Sequence, residues 1–312
     1  MKVIWVDHKG RGDYRTVTEA VAAVPDHSGE RTVIRIRDGE YFEKIRIPAS
    51  KTNLSLIGES QEGTVLVYDD SVSKRHPDGS KMTVYESAST SVLAADFYAE
   101  KLTFANSASR GERRGQAPAL QVEGDRAVFH QVSICGHQDT LYTPGAGRQF
   151  YENCYIEGTV DFIFGSATAY FTFCELHSIT RHNGYVTAAS TGEDQEFGYV
   201  MANCRLTSSA PKATVALGRP WRPYGSVYFI NTWMDEHIRP EGWDNWRDPE
   251  REKTARYAEY GSSGPGASPS TRVGWAKTLD AEEAARLTAE RVLGGKDGWQ
   301  PEKVRGQAGI TA

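Results

Sequence analysis

The chain has little that would tie it to nucleic acid, membrane or metal. It has no run of basic residues, and its 36 Lys and Arg are outnumbered by 41 Asp and Glu, for a net charge of -5. That balance excludes a general attraction to nucleic acid or to an anionic lipid surface. No segment approaches the roughly 18 apolar residues of a membrane span. The opening Met1-Lys-Val-Ile-Trp-Val-Asp-His-Lys-Gly10 lacks the apolar stretch of a signal peptide. A cytoplasmic location is expected on that ground, although a chain trimmed of its signal would begin in much the same way. The four cysteines, Cys135, Cys154, Cys174 and Cys204, form no Cys-x-x-Cys pair, which speaks against structural zinc. Their spacings of 19, 20 and 30 leave two readings: buried thiols stacked in a core, or a disulfide between neighbouring turns such as Cys154 with Cys174. Gly-x-Ser-x-Gly is absent, which removes the usual serine-hydrolase elbow, and no His-x-x-x-His pair of the zinc-protease kind occurs.

Short alternating strands are abundant. After a helical pattern over Tyr14–Pro25, with Val17, Ala20, Val21 and Val24 on one face, the texture changes. Val33-Ile-Arg-Ile-Arg37, Lys44-Ile-Arg-Ile47, Asn53-Leu-Ser-Leu-Ile57 and Thr64-Val-Leu-Val-Tyr68 read as strands between Gly, Asp and Asn turns. A weak repeat follows: Phe129-His-Gln-Val-Ser-Ile134, Phe150-Tyr-Glu-Asn-Cys-Tyr-Ile156, Phe171-Thr-Phe-Cys-Glu-Leu176, Met201-Ala-Asn-Cys-Arg-Leu206 and Phe229-Ile-Asn-Thr-Trp-Met234. With positions 131, 153, 173, 203 and 231 as equivalents, the intervals are 22, 20, 30 and 28. A constant strand with variable spacing predicts an all-β, right-handed parallel β-helix, whose insertions become loops on one side. A β-sandwich would favour Asn-Gly or Asp-Gly hairpin turns, and these are few.

The expected coil runs over about 33–235 within a single domain of 1–312, and 236–312 packs back on it as loops and a helix. In that tail, Pro240-Glu-Gly-Trp-Asp-Asn-Trp246 is turn-like and aromatic. Asp280–Leu293 reads as one helix, with Asp280 as N-cap, Glu283 three residues on, and Gly294-Gly295 as the stop.

Three segments set polar residues in strand-like surroundings: Gln116-Ala-Pro-Ala-Leu120, Gly136-His-Gln-Asp-Thr-Leu-Tyr142 and Gly158-Thr-Val-Asp-Phe-Ile-Phe-Gly165. Gln116 to Gln138 spans 22 residues, as does Asp139 to Asp161. One rung of a β-helix separates backbones by about 4.8 Å. The spacing therefore predicts two stacked glutamines beside two stacked aspartates. Stacked carboxylates repel unless one holds a proton or meets a cation, and such an environment separates an acid from a nucleophile. Asp161, set within Val160-Asp-Phe-Ile-Phe164, is a charge in an apolar strand and needs a reason to be there. The candidate cation is Arg219 in Leu217-Gly-Arg-Pro-Trp221. Pro220 keeps that segment extended, so that Arg219 and Trp221 point the same way.

These segments, with Gly12-Asp-Tyr-Arg-Thr-Val-Thr-Glu-Ala-Val-Ala-Ala-Val-Pro25, Gly39-Glu-Tyr-Phe-Glu43, Glu259-Tyr-Gly-Ser-Ser-Gly-Pro-Gly-Ala267 and Arg272-Val-Gly-Trp275, resemble the pectin methylesterases along nearly the whole chain. The resemblance implies a β-helix that hydrolyses the methyl esters of galacturonate units without metal or organic cofactor. It implies Asp161 as nucleophile, Asp139 as general acid and base, Gln116 and Gln138 as oxyanion donors, and Arg219 as the residue that orients Asp161. Trp221, Tyr142, Phe162 and Phe164 would line the sugar-binding cleft. A monomer acting on pectin or methylated oligogalacturonides is expected, with no nucleic-acid or membrane partner. His137 stands where the family usually carries an aromatic residue, a departure expected to bear on subsite binding or pH optimum. A cytoplasmic version would meet short imported oligomers. A lyase, a glycosidase, a non-catalytic polysaccharide binder and an esterase for another ester or thioester remain the alternatives.

Overall fold

The computed structural model describes residues 1–108, 115–180 and 183–304. The described strands form three parallel sheets of eleven, eight and seven strands, and each sheet takes about every third strand of the sequence. The result is a right-handed parallel β-helix. The repeat seen in the sequence marks one corner of the coil. Gln131, Asn153, Phe173, Asn203 and Asn231 all have φ between 49° and 55°, at the turn from the eleven-stranded sheet into the eight-stranded one. Asparagine enters this left-handed region at small cost because its side chain can bond locally. That is why three of the five corners are Asn.

Residues just before and after each corner alternate into the interior. Phe129, Tyr151 and Phe171 lie in register on consecutive rungs, stacked at 4.7 and 4.6 Å between ring centroids. Cys154, Cys174 and Cys204 are buried, and all four described cysteines are free thiols, so no Cys154–Cys174 disulfide forms. Each buried thiol instead donates to a main-chain carbonyl, as Cys174 does to Tyr151. Phe171 is fully enclosed and also meets Tyr199 edge-on. Phe171→Ala should therefore lower unfolding stability by about 3–5 kcal/mol, measured as a shifted urea midpoint at constant m-value. A loss below about 1 kcal/mol would contradict this packing.

Both ends of the coil extend past the expected 33–235. Lys2–Val6 pairs with Thr32–Ile36, and Arg256–Tyr260 and Lys277–Thr278 continue the same sheet at the other end. The N-terminal helix α1 is only Val17–Ala22. Tyr14 is drawn into a bridge with Val6, and Thr16 starts the helix in a capping box with Glu19. The Glu43 carboxylate accepts the free N–H groups of Val17 and Thr18, each at 2.9 Å. The expected helix over Asp280–Leu293 is two helices, α2 at Ala281–Ala285 and α3 at Ala289–Leu293. Thr288 interrupts it by capping the Arg291 N–H, and the Leu287 carbonyl accepts the Tyr170 hydroxyl. Leu287, Val292 and Leu293 then cover the outer face of the eleven-stranded sheet over Phe150 and Tyr170.

Candidate active site

The site lies on the outer face of the seven-stranded sheet, where the chain enters the strands Leu141–Thr143 and Ile163–Gly165. Asp139 and Asp161 each sit two residues before their strand, with φ of 64° and 50°. The Asp139 N–H donates to the Val160 carbonyl at 3.0 Å and Leu141 N–H to Phe162 at 2.8 Å, so the two aspartates occupy the same place on adjacent rungs. One rung earlier, Ala117 N–H donates to the Gln138 carbonyl at 3.2 Å, which sets Gln116 beside Gln138. The 22-residue spacing thus places the two glutamines and the two aspartates at matching positions on adjacent rungs.

Both aspartates are buried, with 6% of each residue exposed. Arg219 grips Asp161 with two parallel bonds: Nε to Oδ1 at 2.9 Å and Nη2 to Oδ2 at 2.6 Å. Such a fork is the strong form of a charge-assisted hydrogen bond. The Arg219 guanidinium is itself held between the rings of Tyr185 and Trp246, at 3.8 and 3.9 Å from their centroids. Close approach of the strands makes this possible. At Gly218, a Cβ would lie 2.0 Å from Thr187 Oγ1, so only glycine brings Arg219 this near the rung below.

The two carboxyls differ in charge environment. Burial lifts the pKa of Asp139 well above the ordinary carboxylate range, and the Asp161 charge lifts it further, against smaller opposing effects of Arg219 and a Gln138 hydrogen bond. Burial also lifts Asp161, but the Arg219 hydrogen bonds and charge oppose it directly. Asp139 is therefore the partner that keeps a proton and Asp161 the one that ionises first.

Beside the carboxyls runs an aromatic strip. Tyr142 and Phe164 stack at 4.4 Å with their planes 6° apart, and Trp221 packs on Phe164 at 5.9 Å. Arg219 and Trp221 reach the same cleft, as the extended Arg-Pro-Trp segment requires. Phe162 does not join them. It is fully buried and packs in the interior with Ile163. The left-handed turn at Asp161 breaks strand alternation, so two successive side chains point inward. His137 lines a groove outside the neighbouring sheet with Phe42, Val67, Ala105, Cys135 and Glu157.

Three contributors were not singled out by the sequence reading. Tyr185 and Trp246 enclose Arg219. Asp244 accepts the Trp246 main-chain N–H at 2.7 Å, which holds the turn, and the Tyr185 hydroxyl at 3.4 Å. The available signal was the aromatic turn Trp243–Trp246. Trp243 fills the core, while Trp246, at φ 61°, faces the cleft.

A parallel β-helix with an arginine-held carboxylate, a neighbouring carboxyl of raised pKa and an aromatic strip defines a class: the polysaccharide-acting β-helix enzymes. Within it, the pectinesterase family profile matches residues 3–296. Pectinesterase 31 of Arabidopsis thaliana is 40% identical over 291 residues, covering 92% of this chain and 90% of that protein. Pectinesterase QRT1 of the same plant is 38% identical, covering 96% and 78%. Among solved structures, the pectin methylesterase from carrot superposes with a TM-score of 0.85 at 34% identity, over 94% of this chain and 93% of that one. A pectin methylesterase solved in complex with a hexasaccharide gives 0.84 at 34% identity, over 96% and 98%. The chain belongs to the pectinesterase family. No described helix is long and apolar enough to cross a membrane, and nothing in the fold or the relatives supports the cytoplasmic location expected from the first residues.

Proposed function

We propose that the chain hydrolyses methyl esters of galacturonate units in pectin and methylated oligogalacturonides, with Asp161 as nucleophile. The observation that carries this reading is the Arg219 fork on Asp161 beside a second buried carboxyl, Asp139, whose pKa burial raises. An Asp161 oxygen attacks the ester carbonyl carbon. The negative oxygen formed there accepts hydrogen bonds from the side-chain amides of Gln116 and Gln138. The intermediate collapses by breaking the bond to the methoxy oxygen, which takes the Asp139 proton and leaves as methanol. The galacturonyl group is then held on Asp161 as a mixed anhydride. Asp139, now ionised, takes a proton from water as its oxygen attacks the galacturonyl carbon, returning Asp161 as a carboxylate and the sugar as a free acid. The Tyr142–Phe164–Trp221 strip offers ring faces to the sugars.

Incubation with methylated pectin and with methylated trimers to hexamers tests the reaction type. Methanol and acid should appear with chain length unchanged. Unsaturated ends would indicate a lyase, and new reducing ends a glycosidase. Gln116→Ala should lower kcat by about 10²-fold with the fold retained, the usual effect of removing one oxyanion donor. Unchanged turnover would take Gln116 out of the oxyanion site.

A further inference from the structure

Gln116 reaches its place by a route that the later rungs do not use. Leu120 pairs with Leu141, yet Gln116 stands four residues before Leu120 while Gln138 stands three before Leu141. The extra residue is taken up in a β-bulge: the Ala119 and Leu120 N–H groups both donate to the Thr140 carbonyl, at 2.8 and 3.2 Å. Asp139 and Asp161 turn into their strands at positive φ, but no residue from Gln116 to Ala119 does. Pro118, in the bulge, has no N–H to donate. On the side of the earlier rungs the segment is held through its carbonyls. That of Gln116 accepts the Val72 N–H at 3.1 Å, and that of Pro118 accepts the Ser89 N–H at 2.9 Å.

Asn106 gathers these holds. It ends the strand Thr103–Asn106 and is buried. Its Nδ2 donates to the Pro118 carbonyl at 3.0 Å and to the Asp70 carbonyl at 2.9 Å, and its Oδ1 accepts the Ala108 N–H at 2.9 Å. Asp70 lies two residues before Val72, and its carboxylate is pinned by Lys44 and Lys74 at 2.5 and 3.0 Å. One amide thus grips both the segment that carries Gln116 and the segment on which Gln116 leans. Backbone conformation does not account for the asparagine: unlike Asn153, Asn203 and Asn231, Asn106 has no positive φ. The place uses two donors and an acceptor, which among short side chains only asparagine supplies.

We propose that Asn106 is a positioning residue for the esterase reaction, acting through Gln116 by holding the bulged segment so that the Gln116 amide meets the oxyanion. The inference rests on the reading of Gln116 as an oxyanion donor. Such a donor works by being in place before charge develops, so slack in its backbone is lost transition-state stabilisation.

The test is a double-substitution cycle on a methylated hexagalacturonate. Wild type, Asn106→Ala, Gln116→Ala and the pair are compared by kcat, KM and melting temperature. Asn106→Ala should lower kcat about tenfold and leave KM within about twofold, because the oxyanion forms only on the way through the transition state. In the Gln116→Ala background the same substitution should change kcat by less than about threefold. A merely structural asparagine would reduce the active fraction equally in both backgrounds. Equal losses, or an unchanged kcat in the wild-type background, would overturn the proposal. Asn106→Asp keeps the shape and the acceptor for Ala108 but, ionised, loses both donors; it repeats the cycle should Asn106→Ala not fold. Normal turnover by Gln116→Ala alone would instead sink the oxyanion reading, and the positioning role with it.

Discussion

Asp161→Asn is expected to lower kcat for methanol release by about 10⁵-fold or more, the scale of losing a nucleophile that acts as part of a unit. Asparagine is nearly the same shape and tolerates the left-handed backbone at this position, φ 50°, so the fold should remain. It can still accept a hydrogen bond from Arg219. What it lacks is the negative charge that the Arg219 fork aims, and with it the ability to form an anhydride. Circular dichroism should match wild type. Activity within tenfold of wild type would remove Asp161 from the reaction.

Asp139→Asn is expected to cost about 10⁴-fold, because in the proposed mechanism one residue serves both half-reactions, protonating methanol and then activating water. The same substitution should make the protein more stable at neutral pH. The folded pKa of Asp139 is raised, first by burial and then by the Asp161 charge. The native state therefore binds this proton more tightly than the unfolded chain does. The stabilisation from that proton is complete below the unfolded carboxyl pKa and is lost as pH rises through the folded one. Asparagine never ionises, so it escapes that loss. Melting temperature should thus exceed wild type at pH 7, and the difference should shrink toward pH 4. An equal or lower melting temperature at pH 7 would contradict the electrostatic assignment. In wild type, kcat/KM should fall on the acid side as Asp161 is protonated. On the basic side it should fall at a pH well above the ordinary carboxylate range, as Asp139 loses its proton.

Much of the coil was legible because its corners recur: the Asn at 153, 203 and 231 marks a backbone conformation that few residues accept. The paired aspartates were legible for the same reason, since equal spacing along the chain becomes adjacency across rungs. The ends were not. Lys2–Val6 adds a strand without the corner motif, and Arg256–Tyr260 turns its corner on Gly261, at φ 62°, where no Asn marks it, so neither stands out as part of the repeat. The inward Phe162 was misjudged because alternation counts assume extended backbone, and Asp161 is not extended. The Tyr185–Arg219–Trp246 sandwich joins three different rungs, and no spacing rule reaches across that distance. The single helix expected over Asp280–Leu293 failed at Thr288, a residue as ready to cap a new helix as to continue an old one.

The most direct test of the account is trapping of the acyl-enzyme with hydroxylamine during turnover of a methylated oligogalacturonide, followed by mass spectrometry of the sugar and of the peptide carrying Asp161. The account predicts an enzyme-dependent hydroxamate on the galacturonate, on Asp161, or on both, since hydroxylamine can open the anhydride at either carbonyl, and neither should form with Asp161→Asn. Steady methanol release with no enzyme-dependent hydroxamate on either, or a hydroxamate on Asp139 instead, would contradict it.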